Sequence, residues 1–176
     1  MKTSKILQVF CFSILLLLPA LLSIPQGFRD VSGVVGTIKS STLTDKEKLC
    51  LRESLYFEVR NQGLEGIEAV ATVILHRRDA KGYPSDVCKV VHQPKQFSYR
   101  NDLPVGVFKD IQPKKALDKQ ALDAIDFVVD RIAAGQFVRV LPEGVLWYTT
   151  KSVKNKWTKK LKVHAVIGEH VFYSKV

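Results

Sequence analysis

The first helical pattern of apolar residues in the chain runs from about Asp45 to Asn61. It begins with a capping-box sequence at residues 44–47, and neither glycine nor proline interrupts it before Gly63. Counting in steps of three and four residues places four side chains on one face: Leu51, Leu55, Glu58 and Gln62. This face is apolar until it turns polar where the helix stops, so we expect a cleft to open there.

Two further long helices and one short helix are predicted. The second long helix is expected after a turn bracketed by Gly63 and Gly66. A short helix capped by residues 85–86 comes next, and the third long helix starts after Pro113 and stops at Gly135. The apolar stripe of the second helix comprises Ile67, Val70, Ala71, Ile74 and Leu75, whereas Glu65, Glu68 and Arg77 fall off it.

The chain changes to a strand-like pattern after Phe137. Residues 145–150 and 163–167 are rich in β-branched and aromatic side chains, and Gly168-Glu169 joins the second run to residues 170–173 as a hairpin. Helices followed by a small sheet predict an α+β domain with a C-terminal antiparallel sheet.

An apolar stretch from Ile6 to Ile24 follows Lys2 and Lys5 near the N-terminus. This pattern is typical of export, and residues 1–25 are interpreted as a cleaved signal peptide or a retained membrane anchor. Both interpretations stay open, because the stretch is just long enough to span a bilayer and no clear cleavage site follows it.

The rest of the chain divides into a linker and one domain. Residues 26–43 are rich in glycine and serine, which indicates a tether, and residues 44–176 are enough for one globular domain with a hydrophobic core. We expect this domain to act as a monomer in the periplasm or cell envelope, held at the inner membrane if residues 6–24 are retained.

The formal net charge of +10 indicates an anionic partner. Nucleic acid, anionic lipid head groups and the acidic polymers of a bacterial wall all fit this charge, and export argues against nucleic acid. The lysines around Trp157 either form a solvated face or attract anionic wall polymers; they are Lys154, Lys156, Lys159, Lys160 and Lys162.

Cys50 and Cys88 are the two cysteines outside the apolar segment. An exported domain can hold a disulfide between them, and two buried free thiols are the alternative. Neither cysteine has another cysteine or a histidine at ligand spacing, so no metal site is expected. No cofactor-binding motif is present either.

Glu58 is the candidate for a catalytic residue. Ser54 and Gln62, which face it along the helix, carry no charge, and Arg60 faces elsewhere. A carboxyl group beside apolar side chains and without a cation stays protonated near neutral pH and can act as a general acid. An exposed carboxylate, an ion-paired one and a defect in the last helical turn are the structural alternatives.

Several aromatic and amide side chains could line a saccharide groove. Aromatic faces cover sugar rings, and amides or hydroxyls bond the ring edges. Tyr148, Trp157, Phe172 and Tyr173, together with Gln96 and Ser98, have this chemistry, although each aromatic residue can equally be sheet core. No sequence motif supports serine or metal hydrolysis.

Five separated blocks of the sequence resemble the SleB-type cell wall hydrolase family. The blocks are residues 55–60, 64–66, 69–77, 83–91 and 96–98, and the tail from Trp157 to residues 167–173 is similar as well. The resemblance covers about Leu49 to Tyr173. It implies a fold related to lysozymes and lytic transglycosylases, with cleavage of peptidoglycan between N-acetylmuramic acid and N-acetylglucosamine.

The resemblance places the family's catalytic glutamate on Glu58. The expected substrate-contacting residues are Gln62, Gln96, Phe97, Ser98, Tyr148, Trp157, His170 and Tyr173. The family usually has a second glutamate where this chain has Gln62, and a glutamine where it has Ile67.

Because Gln62 cannot act as a nucleophile or base, the simpler expectation is a lytic transglycosylase in which Glu58 is the single acid and base. The alternative is a non-catalytic, cationic wall-binding or membrane-tethered protein that keeps the fold.

Overall fold

The computed structural model describes residues 43–101, 111, 113, 115–153 and 156–176. The expected export segment, almost all of the linker and Lys154 therefore lie outside the described residues. Within the described part, no helix combines the length and the apolarity needed to cross a membrane.

Helix α1, Asp45–Val59, begins with the capping box that the sequence predicts. The hydroxyl group of Thr44 accepts a hydrogen bond from the backbone of Glu47, and the Glu47 carboxylate accepts one from the backbone of Thr44 at 3.0 Å. The other carboxylate oxygen of Glu47 accepts from the backbone N–H of Val87 at 3.1 Å. One side chain thus caps α1 and ties it to the start of a third helix.

Helix α2, Gly63–Asp79, starts earlier than predicted. The turn expected between Gly63 and Gly66 is wrong, because Gly63 alone reverses the chain with a left-handed φ of 69° and Gly66 already lies within the helix. A Cβ atom on Gly66 would lie 2.5 Å from the Cβ of Gln62, so the tight junction between α1 and α2 leaves no room for a side chain there.

The remaining helices follow the predicted pattern. Helix α3, Val87–Val91, is capped by Asp86, and helix α4, Ala116–Ala133, ends before Gly135. A disulfide joins Cys50 of α1 to Cys88 of α3, which confirms the predicted pairing. Residues Ser98–Arg100 form a 3-10 turn.

Three antiparallel strands form a sheet in the order β1-β3-β2, with bounds Val145–Thr150 for β1, Leu161–Ile167 for β2 and His170–Lys175 for β3. Strands β2 and β3 form the predicted hairpin, with Gly168 in its turn at a φ of 54°. The α+β fold expected from the sequence is confirmed.

The hydrophobic core lies between the helices and the central strand. Leu51, Leu55 and Val59 of α1 are fully buried, as is Phe172 of β3. Strand β1 packs against α2, and it pairs with β3 in a register that sets Tyr148 opposite Phe172. The end of α1 therefore meets the sheet at the point where the apolar stripe of α1 gives way to Glu58.

Candidate active site

Glu58 lies in the last turn of α1, and its carboxyl group meets the sheet. The hydroxyl group of Tyr148, on β1, donates a hydrogen bond to Oε2 of Glu58 at 3.0 Å. These residues are 90 positions apart in the sequence, so the contact exists only in the folded domain. The position that the helical pattern indicated is therefore a junction between the two halves of the fold.

Burial raises the pKa of Glu58, because partial removal from water penalises the charged form. The hydrogen bond from Tyr148 and the positive charge of Arg77 act in the opposite direction and offset part of this rise. Arg77 reaches Glu58 from α2, which explains why no cation is evident near it along α1. The balance favours a carboxyl group that binds a proton more readily than a free glutamate and can also carry the charge.

Two adjoining hollows meet at Glu58. One has a volume of about 450 Å³ and lies towards Gln62, and the other has about 360 Å³ and lies towards Gln96. Glu58, Thr150 and His170 line both hollows. The carboxyl group thus lies between two open spaces, where it can reach a bond that joins groups held in the two hollows.

His170 is a second polar group between the hollows. Its side chain is almost fully buried, its ring meets that of Tyr148 edge to face at 5.3 Å, and its Nδ1 has no hydrogen-bond partner among the described residues. Burial lowers the pKa of His170, so the imidazole is neutral at pH 7. Since Nδ1 is itself buried, His170 contributes to the lining of both hollows as a neutral ring.

Gln62 connects the helix junction to the β2-β3 turn. Its Oε1 accepts a hydrogen bond from the backbone N–H of Glu169 at 2.7 Å. A Cβ atom on Gly168 would overlap the same oxygen, so glycine is required for this contact. Gln62 therefore shapes one end of the cleft. The side chain of Glu169 lines the same end; it is 69% exposed, and its carboxylate lies 4.0 Å from Nζ of Lys151.

The other expected substrate-contacting residues differ in how closely they approach the cleft. Gln96 and Ser98 line the smaller hollow, and Trp157 lines a groove next to it. Tyr173 is 8% exposed and packs edge-on against Trp157, which places it behind the groove. The expected contact of Phe97 with substrate is wrong, because its ring is 1% exposed and belongs to the core.

Arg77 is the site residue that the sequence analysis misplaced. The helical pattern sets it off the apolar stripe, yet it is 4% exposed and its Nε donates a hydrogen bond to the carbonyl oxygen of Leu146 at 2.8 Å. The local sequence holds no signal for this burial, because α2 also carries Glu65 and Glu68 and its charged end at Asp79 is typical of an exposed helix terminus. Arg77 becomes buried when β1 packs against α2.

No metal site is evident in the described part of the chain, where no group of three or more histidine, cysteine, aspartate or glutamate side chains could hold an ion.

Comparison with known proteins gives a family and a fold. Residues 61–173 match the family described as Cell Wall Hydrolase. The fold is similar to the catalytic domain of the germination-specific lytic transglycosylase SleB from Bacillus anthracis, with 23% identity, a TM-score of 0.53 and coverage of 74% of this chain and 96% of that one. The fold is also similar to the catalytic domain of the SleB protein from Bacillus cereus, with 23% identity and a TM-score of 0.53. That match covers 75% of this chain and 92% of the other. A comparison with curated proteins found no significant match.

The family match begins three residues after Glu58. The interpretation of Glu58 therefore rests on its geometry within the cleft, and the match covers the surrounding elements from α2 to β3.

Proposed function

The chain belongs to the cell wall hydrolase family, and we propose that it cleaves the glycan strands of peptidoglycan between N-acetylmuramic acid and N-acetylglucosamine, with Glu58 as the single acid and base. The observation that carries the proposal is the half-buried carboxyl group of Glu58 between two hollows, with Tyr148 bonded to it at 3.0 Å. The hollows provide room for a sugar on each side of the scissile bond.

The proposed reaction needs no water. The protonated carboxyl group of Glu58 gives its proton to the glycosidic oxygen as the bond from that oxygen to C1 of muramic acid breaks. The resulting carboxylate then accepts the proton of the muramic C6 hydroxyl group, and the C6 oxygen bonds to C1. The sugar closes into a 1,6-anhydro ring, and Glu58 ends the cycle protonated.

The neighbours of Glu58 support both halves of this cycle. Burial favours the protonated form that begins the reaction, whereas Tyr148 and Arg77 stabilise the carboxylate that forms midway. The imidazole of His170, which lines both hollows, is proposed to contact the sugar. Gln62 and Trp157 are proposed to contact more distant parts of the strand.

Peptidoglycan lies outside the cytoplasmic membrane, so this function requires export. We propose that residues 1–25 supply it, either as a cleaved signal or as a tether through residues 6–24. The net charge of +10 would favour approach to an acidic wall.

Release of soluble muropeptides from purified peptidoglycan tests the proposal. The Glu58→Gln variant keeps the size of the side chain but has no carboxyl proton to transfer, so we expect release to fall by about 100-fold or more. Glu65→Gln, which makes the same change of charge on an exposed position of α2, is expected to release muropeptides at the wild-type rate.

Wild-type protein that binds the glycan strands and yields no soluble product would contradict the proposal. That outcome would favour the alternative function, a cationic wall-binding protein that keeps the fold.

A further inference from the structure

A second groove opens from the smaller hollow beside Glu58. It has a volume of about 510 Å³ and shares Arg77, Lys95, Gln96 and Tyr148 with that hollow. Trp157 and Lys160 form its far wall. We call this space the basic groove, because three cationic side chains and no carboxylate are among its described lining residues.

Arg77 brings an incompletely bonded cation into the basic groove. The side chain is 4% exposed, and although its Nε bonds to the carbonyl oxygen of Leu146, its buried Nη1 has no hydrogen-bond partner among the described residues. The rings of Phe97 and Tyr83 lie 5.8 and 6.0 Å from the guanidinium carbon. A buried donor of this kind is costly unless an anionic or polar ligand completes it.

Lys95 gives an independent indication of a ligand. It has a left-handed backbone, with a φ of 63°, and it is the one residue other than glycine in the described part of the chain that does so. A side chain at such a φ costs free energy that glycine would avoid, and conformations of this kind concentrate at binding sites. Here the strained position projects a cation into the wall shared by the hollow and the basic groove.

Trp157 adds an apolar surface between the cations. Its side chain is 43% exposed, and Tyr173 holds it from behind by an edge-on contact with ring centres 6.1 Å apart. A ligand that suits the basic groove therefore has negative charge together with planar or aliphatic parts. The neutral sugar rings of a glycan lack the charge, whereas the peptide attached to muramic acid combines carboxylates with planar amide groups.

We propose that the basic groove binds the carboxylates of the stem peptide on the muramic residue next to the cleft, so that the preferred substrate is a peptide-substituted strand. The inference rests on the proposed function for the identity of the glycan. Arg77 and Lys95 lie at the end of the basic groove nearest Glu58, and Lys160 lies with Trp157 at the other end.

Strand binding by the Glu58→Gln form of the full chain tests the inference without turnover. The two probes are glycan strands of equal length, one with its stem peptides and one stripped of them by an amidase. Each lactyl carboxylate that the amidase frees is converted to its methylamide, so that the stripped strand carries no negative charge at the muramic residues. We expect the peptide-bearing strand to bind about tenfold more tightly, and we expect Lys95→Gln together with Lys160→Gln to bring this ratio close to one. A ratio cancels any loss of affinity that is common to both strands.

Two further variants make the result specific. Lys81→Gln with Lys175→Gln removes the same charge from exposed positions outside the basic groove and should keep the tenfold ratio. Lys95→Gly, combined with Lys160→Gln, relieves the left-handed backbone and should also lose the ratio, which guards against misfolding of the glutamine variant.

Equal affinity of the Glu58→Gln protein for the two strands would overturn the inference. The inference would also be overturned if poly(glycerol phosphate), but not free stem peptide, competed with the peptide-bearing strand for binding. The basic groove would then bind a phosphate polymer. Cleavage by the wild-type protein is measured separately on the same strands. Cleavage with equal affinities contradicts only the basic groove, and a tenfold ratio without cleavage contradicts only the proposed function.

Discussion

The carboxyl group of Glu58 is subject to opposing influences at the scale of single residues. Burial favours its protonated form, whereas Tyr148 and Arg77 favour the carboxylate. His170 faces the same space from β3 as a neutral ring, and Lys95 faces it from the loop before the 3-10 turn. Such a balance suits the role proposed for Glu58, which is first to give a proton and then to accept one.

Removal of the Tyr148 hydroxyl group should shift the pH dependence of muropeptide release to higher pH. The hydrogen bond from Tyr148 lowers the pKa of Glu58, so Tyr148→Phe raises it. Because the proposed reaction begins with protonated Glu58, the alkaline limb of kcat/KM for muropeptide release should shift to higher pH. Tyr173→Phe, which changes a hydroxyl group behind Trp157, should leave the limb in place. A shift to lower pH in Tyr148→Phe would refute this role.

At the scale of elements, the cleft depends on a contact between the α1-α2 junction and the β2-β3 turn. Gln62 accepts a hydrogen bond from the turn, and Gly168 leaves room for its side chain at a φ of 54°. This contact holds the ends of α1 and β3 together, and those ends carry Glu58 and His170. Gln62, which stands where the family usually has a glutamate, therefore has a structural role in this chain.

A double-mutant cycle measures that contact. We expect Gly168→Ala to lower the free energy of unfolding by about 2 kcal/mol, from backbone strain plus overlap with Gln62. Gln62→Ala should cost about 1 kcal/mol for its lost hydrogen bond. In the Gln62→Ala background, Gly168→Ala should cost only about 1 kcal/mol, because the overlap is gone. Strictly additive losses in urea denaturation would show that the two residues do not interact.

The sequence predicted those elements whose signals are local. The capping box at Thr44 and Glu47 and the hairpin at Gly168 depend on neighbouring residues, and the structure confirms them. Arg77 and Phe97 were misplaced, because the exposure of each depends on β1 and on the loop that pack against them only after folding. The helical spacing located Glu58, but its partner Tyr148 lies 90 residues away and could not be paired with it from local pattern.

At the scale of the whole molecule, helices and sheet each supply part of the cleft, so the site exists only while the domain stays folded. The bond between Cys50 and Cys88 closes a loop with a sequence separation of 38 and fastens α3 to α1, the helix that carries Glu58. Such a crosslink suits a domain that works outside the cytoplasm, where disulfides persist.

Loss of this disulfide should destabilise the domain substantially. From the length of the closed loop, Cys50→Ser with Cys88→Ser is expected to lower the free energy of unfolding by about 4 kcal/mol, measured by urea denaturation. Reducing agent should produce a similar loss in the wild-type protein and no further loss in the double variant. A decrease below about 1 kcal/mol would show that the loop adds little to stability.

The chemical form of the cut strand ends tests the central claim most directly. Peptidoglycan is digested in water enriched in ¹⁸O, and the muramic ends are examined by mass spectrometry with wild-type protein, Glu58→Gln and Glu169→Gln. Glu58 as the single acid and base predicts 1,6-anhydro ends without ¹⁸O, produced by the wild type and by Glu169→Gln and absent with Glu58→Gln. Reducing ends that carry ¹⁸O, lost in both variants, would contradict it and would instead indicate hydrolysis by two carboxylates.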